Sequence, residues 1–212
     1  VVELPSNPLL RCIDLSTVAR LAHQQGIPVI ADDTIGSGVN IDALPHADLV
    51  FSSLTKSFAG RGDVLAGSLV LSHHSPWRDQ LSASARSLQP LAELADMDVI
   101  TLDQGSEDVV ERVHQLNSNT LFLAERLREH PAVAKVFHPG QCKNFKAVQR
   151  PGAGHVCLLS FELKGGTRSA QRVYDALKVC KGPSLGTAFT LVCPYVLLAH
   201  YEELIWAKTC NV

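Results

Sequence analysis

A chain of 212 residues makes one domain or two. With 46% hydrophobic and 19% charged residues it has globular composition, which excludes a disordered, collagen-like or fibrous protein. Nineteen basic against 21 acidic residues leave a formal net charge of −2, so bulk charge points to neither nucleic acid nor an acidic membrane surface. The apolar runs are far shorter than the ~20 residues a membrane-spanning helix needs.

The chain opens on Val1-Val2-Glu3, which reads as a strand, and Pro5, Asn7 and Pro8 then break it. Because the first residue already sits in an element and is not Met, the true N-terminus is expected to lie upstream, and no secretory signal is visible. Asp14 or Ser16 can cap a helix over Leu15–Gln25, with Leu15, Val18, Ala19 and Ala22 on one face and Gly26 ending it. Three short runs follow: Pro28–Ala31 ending in Asp32-Asp33, Asp48–Phe51 ending in Ser52-Ser53, and Val64–Leu71. They are apolar on both parities, which predicts buried parallel-type strands with polar carboxyl ends.

Further on, 75–95 reads as a partly polar helix and 103–128 as one long helix stopped by His130-Pro131. Val133–Phe137 reads as a strand, Gly140–Gly154 as a polar, mobile loop, and His155–Leu163 as a strand. Thr167–Val179 reads as a helix and Phe189–Cys193 as a strand. The expected organisation is an α/β domain over 1–104 and a smaller α+β C-terminal domain over 105–212. Six scattered cysteines without a C-x-x-C fit reduced thiols in a cytoplasmic compartment rather than a stapled secreted domain. The one adjacent histidine pair, His73-His74, has no zinc-like spacing around it, so no metal is expected.

Ligands of open α/β sheets sit outside the carboxyl ends of the strands. Here those ends carry Asp32, Asp33, Thr34, Ser52, Ser53, Thr55 and Lys56. A lysine just past a buried strand is unusual, and desolvation favours the free amine that Schiff-base chemistry needs. Ser53 and Thr55 alternate beside it and can donate to a phosphate. Asp32 lies on another strand end, placed to keep a pyridine nitrogen protonated while Lys56 holds an aldehyde carbon. That pairing fits pyridoxal phosphate. Each piece alone is also what a surface turn or a turn aspartate offers; the ordered set Asn7, Asp32, Ser53, Thr55, Lys56 is what carries the reading. A generic nucleotide-binding domain is disfavoured, since no G-x-G-x-x-G or P-loop is present.

Several motifs resemble the cystathionine γ-synthase, or trans-sulfuration, family of pyridoxal-phosphate enzymes. Glu3-Leu4-Pro5-Ser6-Asn7-Pro8 is similar to its E-x-P-x-N-P, Ala31-Asp32-Asp33-Thr34 to V-D-N-T, and Ser53-Leu54-Thr55-Lys56 to S-x-T-K. Gly62–Gly67, His130–Val133, Val136–Gly140 and Ser184-Leu185-Gly186 resemble further family stretches in the same order. Asp33 stands where the family usually has Asn, Ser57 where an aromatic is frequent, and Phe189-Thr190-Leu191 where many members read E-S-L.

The resemblance implies a partial aspartate-aminotransferase-like, fold type I chain. It implies that Lys56 binds the cofactor covalently and shuttles protons, that Asp32 pairs with the ring nitrogen, and that Ser53 and Thr55 bind the phosphate. It implies that Asn7 touches the cofactor or the substrate carboxylate, that Thr34 lies against the ring, and that Ser184 orients the lysine or binds the substrate carboxylate. The implied reaction is γ-replacement on an O-acyl-homoserine by cysteine, with β- or γ-lyase or methionine γ-lyase-like chemistry as the alternative. A homodimer or tetramer acting on a small amino acid is implied, with no nucleic acid, membrane or metal. The family's upstream phosphate loop, ring-stacking aromatic and Tyr/Arg pair, and its downstream carboxylate-binding Arg, have no match here. The expectation is therefore a chain truncated at both ends, with a catalytically deficient remnant as the reading from a different class.

Overall fold

The computed structural model describes residues 1–88 and 93–209. Cys210, and the part of the expected 75–95 helix that falls on 89–92, lie outside the described residues. The principal sheet has four strands in the order β1 (Val2–Glu3), β2 (Ile30–Asp32), β3 (Leu49–Ser53), β4 (Gly67–Leu71). The first three are parallel, and the register sets Asp32 beside Glu3 on one side and Phe51 on the other. The intervening α1 (Leu15–Gln24) starts where the sequence predicts: Asp14 accepts from the Thr17 amide and from the Ser16 and Thr17 hydroxyls. Gly26, at φ +68°, carries the chain out of it.

β4 departs from expectation. It is antiparallel to β3, with Ser53 opposite Gly67, and Leu69 and Val70 are exposed. The reason lies in residues 54–66. They contain no crossover helix, and the Leu54 amide donates to the Ala66 carbonyl at 2.9 Å, so the chain re-enters the sheet from the end at which it left.

A short α2 (Ser37–Asn40) follows β2, and α3 (Arg78–Leu88) follows β4. The long helix expected over 103–128 is two helices, α4 (Asp96–Ser106) and α5 (Val109–Glu129). The chain turns at Asp108 (φ −114°, ψ 17°), beside the point where Gly105 packs against the Ala59 backbone. β5 (Val133–Phe137) pairs antiparallel with β6 (Ser160–Leu163), which is shorter than the predicted strand over 155–163.

The expected mobile loop over 140–154 is instead a 3₁₀ turn (Pro139–Gln141) and α6 (Lys143–Val148). Phe145, 0% exposed, and Val148 belong to one core cluster with Leu4, Leu10, Ile41 and Val50. Two apolar residues three apart on a helix, set in a polar stretch, find that core; the polar composition hid them. α7 (Gly166–Ala176) matches its expectation closely. β7 (Cys180–Lys181), unforeseen, pairs in parallel with β8 (Leu191–Val192), the remnant of the strand expected over 189–193. α8 (Tyr195–Ala199) and α9 (Leu204–Thr209) close the described chain.

Candidate active site

The carboxyl ends of β1, β2 and β3 lie side by side, and the polar residues after them share that edge. At the end of β2, Asp32 Oδ1 accepts from the Thr34 amide at 2.9 Å, an Asx-type turn that fixes the carboxylate at the strand tip. Thr34 Oγ1 in turn accepts from the Ser53 amide at 2.9 Å, tying the end of β2 to the end of β3. The lysine loop starts there. The Thr55 hydroxyl accepts from the Ala66 amide at 3.2 Å, and the Gly60 amide donates to the Lys56 carbonyl at 2.8 Å. Asn7 sits half-buried in the turn after β1, its amide donating to Glu3 Oε2 at 3.0 Å.

Lys56 Nζ donates to Ser184 Oγ at 3.1 Å, across 128 residues of sequence. This contact needs a close approach of two backbones, and Gly186 supplies it. Its φ is +74°, and a Cβ there would stand 2.6 Å from the Ser57 nitrogen and 3.1 Å from the Lys56 Cβ. The Ala188 amide, donating to the Gly60 carbonyl at 2.7 Å, fastens the far end of the same segment.

The charge at this edge is one-sided. Burial pushes the Asp33 carboxyl up to about 6, the neighbouring Asp32 charge adds to it, and Arg150 partly opposes it. Asp33 Oδ1 accepts a hydrogen bond from the Ser52 hydroxyl. Burial also raises the Glu3 carboxyl, against the Asn7 amide and with help from Asp32. Burial raises the Tyr195 phenol, and the charges of Glu3 and Cys193 add to it. A protonated pyridine nitrogen would offset this crowding of carboxylates, and the Lys56 amine and the hydroxyls of Ser53 and Thr55 follow at the end of the neighbouring strand. The residues present therefore fit pyridoxal phosphate.

The structure thus brings Asp32, Thr34, Ser53, Thr55 and Lys56 to one edge, adds Ser184 through Lys56, and sets Asn7 beside Glu3 in the next turn. Sequence reasoning passed over Gly186, although it stood in a quoted motif, and over Tyr195 and Arg112, for which no local signal exists. The cleft of about 290 Å³ lined by Arg20, His23, Asp48 and Ser72 is elsewhere, around the amino end of β3.

Strand ends bearing an aspartate and a lysine, with hydroxyls between, define an α/β protein of the pyridoxal-phosphate type. The family described as Cys/Met metabolism PLP-dependent enzyme matches residues 1–202, and the chain belongs to that family. It is 39% identical over 217 residues to the cystathionine gamma-synthase of Neurospora crassa, covering 99% of this chain and 34% of that protein. The Saccharomyces cerevisiae cystathionine gamma-synthase is also 39% identical, over 96% of this chain and 33% of its own length. The chain thus spans about a third of these curated relatives. Among solved structures, the cystathionine gamma synthase of Xanthomonas oryzae pv. oryzae, in complex with aminoacrylate and cysteine, superposes with a TM-score of 0.86 at 27% identity. That match covers 99% of this chain and 54% of the other. The methionine gamma lyase CalE6 of Micromonospora echinospora gives 0.85 at 31% identity, over 98% and 57%. The fold is that of the fold type I enzymes.

Proposed function

We propose that this chain carries the lysine-bearing part of a pyridoxal-phosphate site for γ-replacement, in which cysteine displaces the acyl group of an O-acyl-homoserine to give cystathionine. The observation that carries the reading is the Lys56–Ser184 hydrogen bond at the strand edge that also holds Asp32. When bound, the cofactor supplies an electron sink for charge developing on the substrate carbons.

In this reading Lys56 Nζ binds the cofactor aldehyde. Once released, it removes the proton from the substrate Cα and delivers protons further along the chain. Ser184 Oγ holds that amine in line and can receive its hydrogen bond in either role. Asp32, fixed by the Thr34 amide, keeps the ring nitrogen protonated, and Thr34 packs beside the ring. The hydroxyls of Ser53 and Thr55 donate to the phosphate. Asn7 contacts the cofactor oxygen or the substrate carboxylate. In the replacement, the cysteine sulfur bonds to Cγ and the acyl group leaves as its carboxylate. A γ-elimination reading has the likeness to gamma-lyase structures behind it, among them a methionine gamma lyase at 31% identity.

In the same reading residues 1–104 form part of a large cofactor-binding domain and 105–212 part of a smaller α+β domain, in a homodimer or tetramer. A cytoplasmic location suits the five described cysteines, all of them free thiols. No helix among the described residues is long and apolar enough to cross a membrane. The test is spectroscopic. Pyridoxal phosphate added to the chain should raise a band near ~420 nm that Lys56→Ala abolishes, and the full-length protein should turn over O-acyl-homoserine with cysteine. An unchanged band in Lys56→Ala, or turnover to an α-keto acid and ammonia without cysteine, contradicts the proposal or its γ-replacement form respectively.

A further inference from the structure

The geometry points to Arg112 of α5 as a positioning residue for Lys56, a brace on the backbone of the lysine loop separate from the Ser184 contact. This inference rests on the proposed function, because it gives the brace its purpose.

A single guanidinium makes the joint. Arg112 Nη2 donates to the Phe58 carbonyl at 2.6 Å and to the Gly105 carbonyl at 2.6 Å, with a longer contact to the Ser57 carbonyl at 3.4 Å. Nη1 pairs with Asp108 one turn back on the same helix, which aims the fork. The bonds to Phe58 and Gly105 join the lysine loop to the end of α4 through one charged group.

Two glycines make room for it. Gly60 has φ +77°, and a Cβ there would lie 2.7 Å from Arg112 Nε and 3.1 Å from its Cζ, so the side chain lies flat on the loop backbone. A Cβ at Gly105 would lie 3.0 Å from Ala59 Cα and from its carbonyl oxygen, so α4 touches the loop backbone directly. A residue that only filled space here would need neither the fork nor two bare backbones.

The loop from Lys56 to Gly60 is therefore held on two sides. The 184–188 segment holds it through Ser184, Gly186 and the Ala188 amide, and Arg112 holds it through Ser57, Phe58 and Gly60. Nζ must stay aimed when its partner changes from aldehyde to substrate proton, and the backbone that carries it is fixed by groups that touch neither. Lysine in place of Arg112 keeps the charge but has a single nitrogen, which cannot serve the Phe58 and Gly105 carbonyls while a second arm pairs with Asp108, and it has no planar group to lie on Gly60.

The test uses the whole chain as wild type, Arg112→Lys and Asp108→Ala. Amide exchange is read at Ala59 and Gly60, whose amides donate to Leu54 and Lys56, with the Asp33 amide and the β5–β6 pair as internal controls. Each protein is then treated with pyridoxal phosphate and borohydride, and the share of label at each lysine is mapped by peptide mass. In Arg112→Lys the loop amides should exchange about tenfold faster with the controls unmoved, as expected for a local opening. The share of label on Lys56 should fall about fivefold relative to the exposed lysines 135 and 164. Loop exchange and label distribution equal to wild type overturn the inference.

Should Arg112→Lys also lose protection in β5–β6, Asp108→Ala decides by the same two readouts, since it removes the partner that aims the fork without touching the loop backbone. If wild type does not label at Lys56, the proposed function fails, and the exchange arm still decides whether Arg112 braces the loop.

Discussion

The two ends of the principal sheet hold carboxylates in opposite ways. At the amino end of β3, Asp48 is 2% exposed and satisfied: its Oδ2 accepts from the Val29 amide at 2.7 Å and pairs with His23 Nε2 at 2.8 Å. At the carboxyl end, burial raises the Glu3 and Asp33 carboxyls, and the charge of Asp32 adds to both. A buried acid with its own donors is a structural tie. Carboxyls raised by burial and by a like-charged neighbour are an arrangement that folding alone does not favour, and one that a bound cationic group would relieve. The cleft lies at the Asp48 end, whereas the residues proposed to hold the cofactor lie at the other.

Substitutions can break this contrast. The largest effect belongs to the amino end. Asp48→Ala leaves the Val29 amide without its acceptor in a buried place and should cost about 3 kcal/mol in urea unfolding, with the lysine site otherwise intact. Asp33→Asn should do the reverse, because Asn keeps an acceptor for the Ser52 hydroxyl and drops the charge.

The sign of that second effect follows from proton binding. Asp33 is held at about 6 in the fold, above the ordinary unfolded value of roughly 3.9, so the native state binds the extra proton between those limits. Its contribution to stability is full below about pH 4 and lost as pH rises through about 6. Asp33→Asn should therefore match wild type near pH 4 and exceed it by about 2–3 kcal/mol at pH 7. A difference that is flat with pH, or that shrinks as pH rises, contradicts the assignment.

His23→Gln, at the mouth of the cleft and partly exposed, should cost about 1 kcal/mol or less. The smallest effect on stability is expected at Asp32 itself. Asp32→Asn relieves two like-charge neighbours and should shift unfolding by about 0.5 kcal/mol or less, while weakening cofactor binding strongly. Stability and function then separate at a single residue, which no change at Asp48 should reproduce.

What the sequence made legible was local. The Asp14 cap, the apolar face of α1, the ends of β2 and β3 and the S-x-T-K stretch are each written within a few residues, and each stands where it was read. What it hid was set by contacts between distant backbones. The direction of β4 depends on Leu54 meeting Ala66; the break between α4 and α5 lies where Gly105 meets Ala59. α6 is helical in a polar stretch because Phe145 reaches a core built from the first 50 residues. The same division runs through the site. Lys56 and Asp32 announce themselves, whereas Gly186 and Arg112 matter only because the lysine loop is pressed between them.

The most direct measurement is a crystal structure of the chain grown with pyridoxal phosphate. The account predicts continuous density from Lys56 Nζ to the cofactor, with an Asp32 carboxylate oxygen about 3 Å from the ring nitrogen. Cofactor joined to another lysine, or a ring nitrogen facing away from Asp32, would contradict it.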